Sequence, residues 1–191
     1  AAVELNPAAV SRVVRGLEDE ALVRAVKPAA SARRRPVRVE RPLALLEAWL
    51  PLWQRRRIAS RHWNIGTHNA DDALSLLREV ASERVDGWAI GGLAGAATVR
   101  RAVEPADVLV WADPSAALML EHDLQPEPEP IRGRRGAVRL LIAPDSWTLG
   151  LARRVAGLPI ADPVQLWLDC ASEGERALEA ADAVAEEAGW S

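Results

Sequence analysis

Residues 6–26 read NPAAVSRVVRGLEDEALVRAV, a stretch that predicts one helix followed directly by a strand. Its apolar residues recur at i, i+3, i+4 and i+7, which is the spacing of a single helix face. These residues are Val10, Val13, Val14 and Leu17. Asn6 can accept a hydrogen bond from a free N–H group of the first turn, and Pro7 suits the first helical position, where its missing N–H costs nothing. The sequence therefore predicts an amphipathic helix with a capped start.

The face opposite the apolar stripe combines a short polar side chain with long cationic ones. Ser11, Arg12 and Arg15 point away from the stripe in the predicted helix. This mixture can lie against phosphates and place side chains on base edges in the major groove of DNA. We interpret the helix as a recognition helix, with Asn6 and the helix N-terminus near a phosphate.

A longer stretch resembles a known family. Residues 7–24, PAAVSRVVRGLEDEALVR, are similar to the recognition helix and first wing strand of winged helix-turn-helix regulators such as the MarR type. The resemblance implies that Leu17 and Leu22 are core residues. It also implies that residues 22–26 form one wing strand and residues 36–40 its partner.

The predicted wing carries its own cationic residues. Arg33, Arg34 and Arg35 are consecutive at the tip, and Arg38 lies in the second wing strand. The resemblance implies that this wing reaches the DNA backbone or minor groove beside the helix. Winged-helix domains normally have one or two helices before the recognition helix, whereas five residues precede Asn6 here.

Charge is distributed unevenly along the chain. Residues 1–62 contain 13 Lys and Arg against 6 Asp and Glu, whereas residues 63–191 contain 11 against 21. A basic half joined to an acidic half is typical of proteins that bind nucleic acid through one domain, because neutralising phosphates drives the affinity. The charges favour two domains with these bounds and double-stranded DNA as the partner. The alternative is a solvated basic face.

Composition limits the other function classes. The chain has 191 residues, 49% of them apolar and 27% charged, which suits one large or two small globular domains. No apolar run is long enough to span a membrane, and no signal-peptide pattern opens the chain, so we expect a cytoplasmic protein. A single cysteine, Cys170, excludes an internal disulfide and a cysteine-based zinc site. His62 and His68 have no third ligand at a diagnostic spacing, and no cofactor is predicted.

A connecting helix is predicted after the wing, over residues 41–61, with Pro51 breaking or kinking it. Its end holds a second basic cluster, which is expected either to touch flanking phosphates or to be solvated. The cluster consists of Arg55, Arg56, Arg57 and Arg61. Residues 62–69 are predicted to form a polar loop.

The acidic half alternates predicted helices and strands, which indicates an α/β domain and an α+β fold for the whole chain. An exposed proline-rich loop is predicted around residues 126–130, and a capping box at residues 172–175 opens the last helix. Helices are predicted at residues 71–82, 93–101, 163–168 and 175–188, and strands at residues 87–91, 107–112 and 137–143.

This half carries a second resemblance. Residues 88–97, the strand ending at Asp113, residues 160–169 and the alanine-rich last helix look like the C-terminal domain of AbiEi-type antitoxins. The resemblance implies a transcriptional regulator that represses its own operon. In true antitoxins of this type it also implies a toxin partner of the nucleotidyltransferase kind. Paired operator half-sites would indicate a homodimer.

Two other functions remain open. Gly91-Gly92 followed by a helix and Asp107 is similar to the nucleotidyltransferase pattern, but Leu109 stands where the second metal-binding carboxylate belongs. We therefore expect a scaffold and no enzyme. The third hypothesis is a sensor whose acidic domain binds a small effector. The predicted exposed loop at residues 125–135 and the tryptophan-rich core are compatible with it.

Overall fold

The computed structural model describes residues 6–26, 36–81, 86–128, 136–145 and 147–190. Within these ranges the fold is mixed α+β, with eight helices and nine strands. The helices are α1 (Pro7–Asp19), α2 (Pro42–Gln54), α3 (Ala70–Ala81), α4 (Gly92–Val99), α5 (Pro114–Leu124), α6 (Trp147–Gly150), α7 (Pro163–Ser172) and α8 (Glu175–Glu187). The strands are β1 (Val23–Ala25), β2 (Val37–Val39), β3 (Ser60–Asn64), β4 (Trp88–Gly91), β5 (Val108–Ala112), β6 (Glu127–Pro128), β7 (Val138–Ile142), β8 (Arg153–Val155) and β9 (Leu158–Ile160).

The strands form two sheets. β1 and β2 make an antiparallel hairpin, and the other strands form a seven-stranded mixed sheet in the order β6-β3-β7-β5-β4-β9-β8. The central strand β5 is parallel to β7 and antiparallel to β4. All five β5 residues are buried, as in a strand covered on both faces. The helices α4, α7 and α8 contact one another, and α4 and α7 reach the central strands, which α3 and α5 also contact.

The helix after the wing belongs to the core of the large sheet. Leu46 and Trp53 of α2 are buried in that core, and the Trp53 ring centroid lies 5.9 Å from that of Trp111 on β5. Leu22 and Val23, at the corner between α1 and β1, are also buried, but outside the main core. The expectation that Leu17 and Leu22 are core residues is confirmed locally for Leu22 and is wrong for Leu17, which is half-buried.

Many of the predicted elements are confirmed near their expected bounds. Hydrophobic spacing and end signals correctly predicted α1, α3, α4, α7, α8, β4, β5 and β7, and the two hairpin strands lie where the family resemblance implies them. The helix α7 also has a capped start, since the Asp162 side chain accepts hydrogen bonds from the Val164 and Gln165 N–H groups. Local side-chain signals were sufficient for these elements.

A helix was predicted over residues 41–61 and a loop over residues 62–69, and this prediction was wrong where the two meet. The helix α2 continues past Pro51 but ends at Gln54, and β3 occupies the region where the helix was expected to end and the loop to begin. The strand forms because it pairs antiparallel with both β6 and β7, whereas its own sequence buries only Trp63. The predicted domain boundary after residue 62 falls within this strand.

Other errors lie around short elements. The capping box at residues 172–175 is wrong, because Ser172 lies inside α7, where its hydroxyl donates to the Leu168 carbonyl. Gly174, at φ +97°, stands at the N-cap position of α8 instead. Part of the proline-rich loop pairs with β3 as the edge strand β6. The elements α5, α6, β8 and β9 were not predicted.

Candidate nucleic-acid interface

The predicted recognition helix is built as its sequence indicates. Asn6 Oδ1 accepts a hydrogen bond of 2.9 Å from the Ala8 N–H, and the proline occupies the first helical position. At 100° per residue, Arg15 lies between Ser11 and Arg12 on the circumference of α1. All three side chains are exposed. The middle of α1 therefore presents one hydroxyl and two guanidinium groups on a single solvent-facing surface.

The opposite face of α1 is more open than expected. No residue of this helix is buried, and Leu17 is half-buried. Val10 and Val13 are 39% and 61% exposed. The apolar stripe is present in the sequence, but the described residues cover it only in part.

A side-chain contact fixes the corner between the helix and the hairpin. Ala21, at φ +55°, reverses the chain after α1, and the Leu22 N–H donates to the Leu17 carbonyl. Glu18 Oε1 then accepts a hydrogen bond of 2.9 Å from the Ala25 N–H. In the observed register this N–H lies on the side of β1 away from β2. Glu18 therefore holds the outer edge of the hairpin against the helix.

The hairpin carries a pair of opposed arginines. Arg24 on β1 lies directly opposite Arg38 on β2, and both side chains are exposed. Their Nε atoms lie 3.0 Å and 4.0 Å from the same Glu40 carboxylate oxygen. The predicted contact Arg38 is thus accessible but has an acidic neighbour, and Arg24 is a cationic position that the sequence analysis did not single out.

The structure brings together only part of the predicted DNA-contacting set. Asn6, Ser11, Arg12 and Arg15 share α1, and Arg38 lies on the hairpin. The wing-tip residues fall outside the described ranges, so their role stays a prediction. They are Arg33, Arg34 and Arg35.

The second basic cluster is divided. Arg56 Nη2 lies 3.1 Å from Asp145, and Arg61 Nη1 lies 2.6 Å from Glu121 on α5. These two arginines therefore connect the basic half of the chain to the acidic half. The other two members, Arg55 and Arg57, are exposed and have no partner among the described residues, so both phosphate contact and solvation remain open for them.

The Gly91-Gly92 turn, which suggested a phosphate site, is occupied by a side chain of the protein itself. Asp169 Oδ2 accepts hydrogen bonds from the Gly92 N–H at 3.0 Å and from Trp111 Nε1 at 2.9 Å. Asp169 Oδ1 accepts a bond of 2.6 Å from Gln165 Nε2. Burial raises the pKa of Asp169 to about 6, although these three hydrogen bonds oppose the increase. The turn donor that a phosphate would need is already used by a buried carboxyl.

The strands beside this turn do not supply a carboxylate pair. Leu109 faces the turn from β5, with its Cβ 3.1 Å from the position that a Cβ on Gly92 would take. Its register partner on β7 is Arg139, which forms an ion pair with Glu173. Among the described residues no group of three or more His, Cys, Asp and Glu side chains is arranged to hold a metal ion.

Comparison of the chain with protein-family models, with curated proteins and with solved structures found no match. Within the described ranges no helix is both long and apolar enough to cross a membrane.

Proposed function

We propose that the protein is a transcriptional regulator that binds double-stranded DNA through α1 and the β1-β2 hairpin. The observation that carries the proposal is the exposed face of α1. Arg12 and Arg15 are solvent-exposed there and have no acidic partner among the described residues, and an antiparallel hairpin follows the helix directly. A recognition helix beside a wing has this arrangement.

The distribution of charge along α1 favours one orientation of the helix on DNA. Its positive N-terminal end and the two arginines would face the duplex, since backbone N–H groups at a helix N-terminus attract phosphate. Glu18 and Asp19 lie in the last turn. We therefore expect the exposed face of α1 to enter the major groove, with Ser11, Arg12 and Arg15 toward base edges, and the acidic last turn to remain outside it.

The family resemblance supports the biological role. By similarity to AbiEi-type antitoxins, we propose that the regulator represses its own operon and that a cognate toxin is a partner. A homodimer on paired half-sites is part of this proposal. The acidic half, with a net charge of −10 over residues 63–191, would be held away from the phosphates.

The test compares arginine variants that remove the same charge from different places. Arg15→Ala should weaken binding to promoter DNA by roughly 1–3 kcal/mol, because a base contact is lost. Arg34→Ala, at a position for which the sequence predicts a wing contact, should mainly reduce the salt dependence, by about one unit of slope. Arg176→Ala removes an exposed arginine of α8 and serves as the control.

Fluorescence anisotropy on labelled promoter duplex measures all three variants. Unchanged affinity in both Arg15→Ala and Arg34→Ala would remove the winged-helix interpretation. A loss of the same size in the control variant would show that net charge alone, and not the α1 surface, accounts for the binding.

A further inference from the structure

An open cleft of about 610 Å³ lies between α2, α6 and the start of α7. This volume is in the range of about 300–1,000 Å³ that small-molecule sites occupy. The lining is mainly aromatic and aliphatic and includes Trp49, Trp53, Trp147, Leu52 and Leu151. We call it the aromatic cleft.

Exposed apolar side chains are concentrated at this cleft. Trp49 is 40% exposed, Leu52 61%, Trp147 63% and Leu151 66%. Trp49 and Trp147 are the two exposed tryptophans of the described part of the chain. Single exposed apolar residues are ordinary, but a contiguous group around a concave surface indicates a binding site.

One cation already lies on an aromatic wall of the cleft. Arg56 Cζ is 4.8 Å from the centroid of the Trp53 ring, within the range of a cation–π interaction. Trp49 packs edge-on against Trp53, with ring centroids 5.8 Å apart. Among the described residues no cation is stacked on Trp49 or Trp147, which leaves two indole rings that a second cation could contact.

Carboxylates outnumber cations in the lining. Arg56 is the one cationic residue among the described lining residues, and its partner Asp145 also accepts hydrogen bonds from the Thr148 N–H and hydroxyl through Oδ1. Asp162 adds a second carboxylate, whose Oδ1 caps α7. Within the described ranges no group donates a hydrogen bond to Asp162 Oδ2. The cleft therefore has one carboxylate, that of Asp162, that pairs with no cationic side chain among the described residues.

We propose that the aromatic cleft binds an organic cation with an apolar body, its charge held by Trp49, Trp147 and the Asp162 carboxylate. Tryptophan faces and an unpaired carboxylate both favour a positive charge, and the aliphatic lining accepts the apolar body. Any effect of such a ligand on DNA binding would rest on the function proposed above. The binding of the cation does not depend on that function, and it is measured without DNA.

Isothermal titration calorimetry of the full chain with tetraphenylphosphonium, and with tetraphenylborate as its anionic analogue, separates charge preference from apolar attraction. The two probes have nearly the same shape and apolar surface. We expect saturable binding of the cation and much weaker binding of the anion. No heat with the cation, or binding of the anion at equal or higher affinity, would overturn the proposal.

Two variants locate the binding. Asp162→Asn removes the carboxylate but keeps a side chain that caps helices well, so α7 should remain folded. We expect tetraphenylphosphonium affinity to fall about threefold or more, whereas Asp182→Asn, an exposed position on α8, leaves it unchanged. Trp147→Leu keeps an apolar side chain at a largely exposed position and should lower the affinity roughly three- to tenfold. If both Asp162→Asn and Trp147→Leu bind the probe with wild-type affinity, the probe binds elsewhere and the assignment is overturned.

Discussion

Replacing Asp169 with asparagine should remove a pH dependence of stability from the folded protein. The carboxyl is buried and accepts hydrogen bonds from Gly92, Trp111 and Gln165. An asparagine can preserve all three, because its carbonyl can face Gly92 and Trp111 while its amide group faces Gln165, whose own amide rotates to accept. The variant therefore changes ionisation with little change in shape.

The size of the effect follows from the pKa. Burial raises the pKa of Asp169 from its ordinary 3.8 to about 6. At about 1.4 kcal/mol per unit of pKa, this difference corresponds to roughly 3 kcal/mol. Below about pH 4 the carboxyl is protonated in both the folded and the unfolded chain. Between about pH 4 and pH 6 the unfolded chain loses the proton first, so the free energy of unfolding decreases as the pH rises; above this window the loss is complete.

Urea unfolding followed by tryptophan fluorescence, at pH values from about 4 to about 8, measures the effect in both proteins. Subtracting the wild-type free energy of unfolding from that of Asp169→Asn cancels the titration of other groups. Asp145 is one of these groups, and the hydrogen bonds from Thr148 and Arg56 lower its pKa, so its contribution is lost only as the pH falls. The difference should grow by roughly 2–3 kcal/mol from about pH 4 to about pH 7 in favour of the variant.

The slope with pH, and not the offset, decides this prediction. Any packing cost of the asparagine is the same at every pH and shifts the whole difference curve. A difference that is flat across the range would contradict this prediction, since it would mean that Asp169 ionises as easily in the folded protein as in the unfolded chain.

Three further predictions concern individual positions. Gly91→Ala should lower the free energy of unfolding by about 1–3 kcal/mol, because the added Cβ would lie 2.8 Å from Trp111 Cδ1; urea unfolding as stable as wild type would contradict it. Asn6→Ala should weaken the start of α1 by about 1 kcal/mol and Asn6→Ser should not, as faster hydrogen exchange in the first turn would show. Cys170 should resist iodoacetamide at about pH 8 in the folded protein and react after denaturation, since burial raises the pKa of its thiol to about 12; mass spectrometry detects the adduct.

Local sequence signals predicted the elements whose stability is local. The helix α1 was predictable because its cap, its first-position proline and its apolar spacing all lie within residues 6–19. The helix α5 was missed because its buried residues include Ala116 and Ala117, which resemble surface alanines, whereas its Leu118 and Met119 are exposed. An apolar pattern does not identify the buried face of such a helix.

Short strands depended on partners far away in the sequence. β3 is mostly polar and exists because it has a neighbour on each side. β8 and β9 are three residues long and are joined by a turn at Ala156 and Gly157, both at positive φ. Gly157, a residue type that favours such turns, was the local sequence signal for this hairpin.

Of the candidate sites, too, only the one formed by residues close in sequence could be predicted. The spacing of apolar residues within α1 was enough to predict that its arginines are exposed. The contact between Gly92 and Asp169, in contrast, joins residues 77 positions apart. The aromatic cleft likewise combines residues of α2 with residues of α6 and α7. No spacing in the sequence marks either arrangement, because both arise from how the helices pack on the sheet.

The central claim is that α1 and the hairpin bind duplex DNA. Fluorescence anisotropy of the full chain on promoter duplex and on a scrambled duplex, across a salt series, tests it most directly. We predict tighter binding to the promoter and affinities that fall steeply with salt on both duplexes, because arginines displace counterions from phosphates. Binding that is absent at low salt, or that is equal on the two duplexes and insensitive to salt, would contradict the claim.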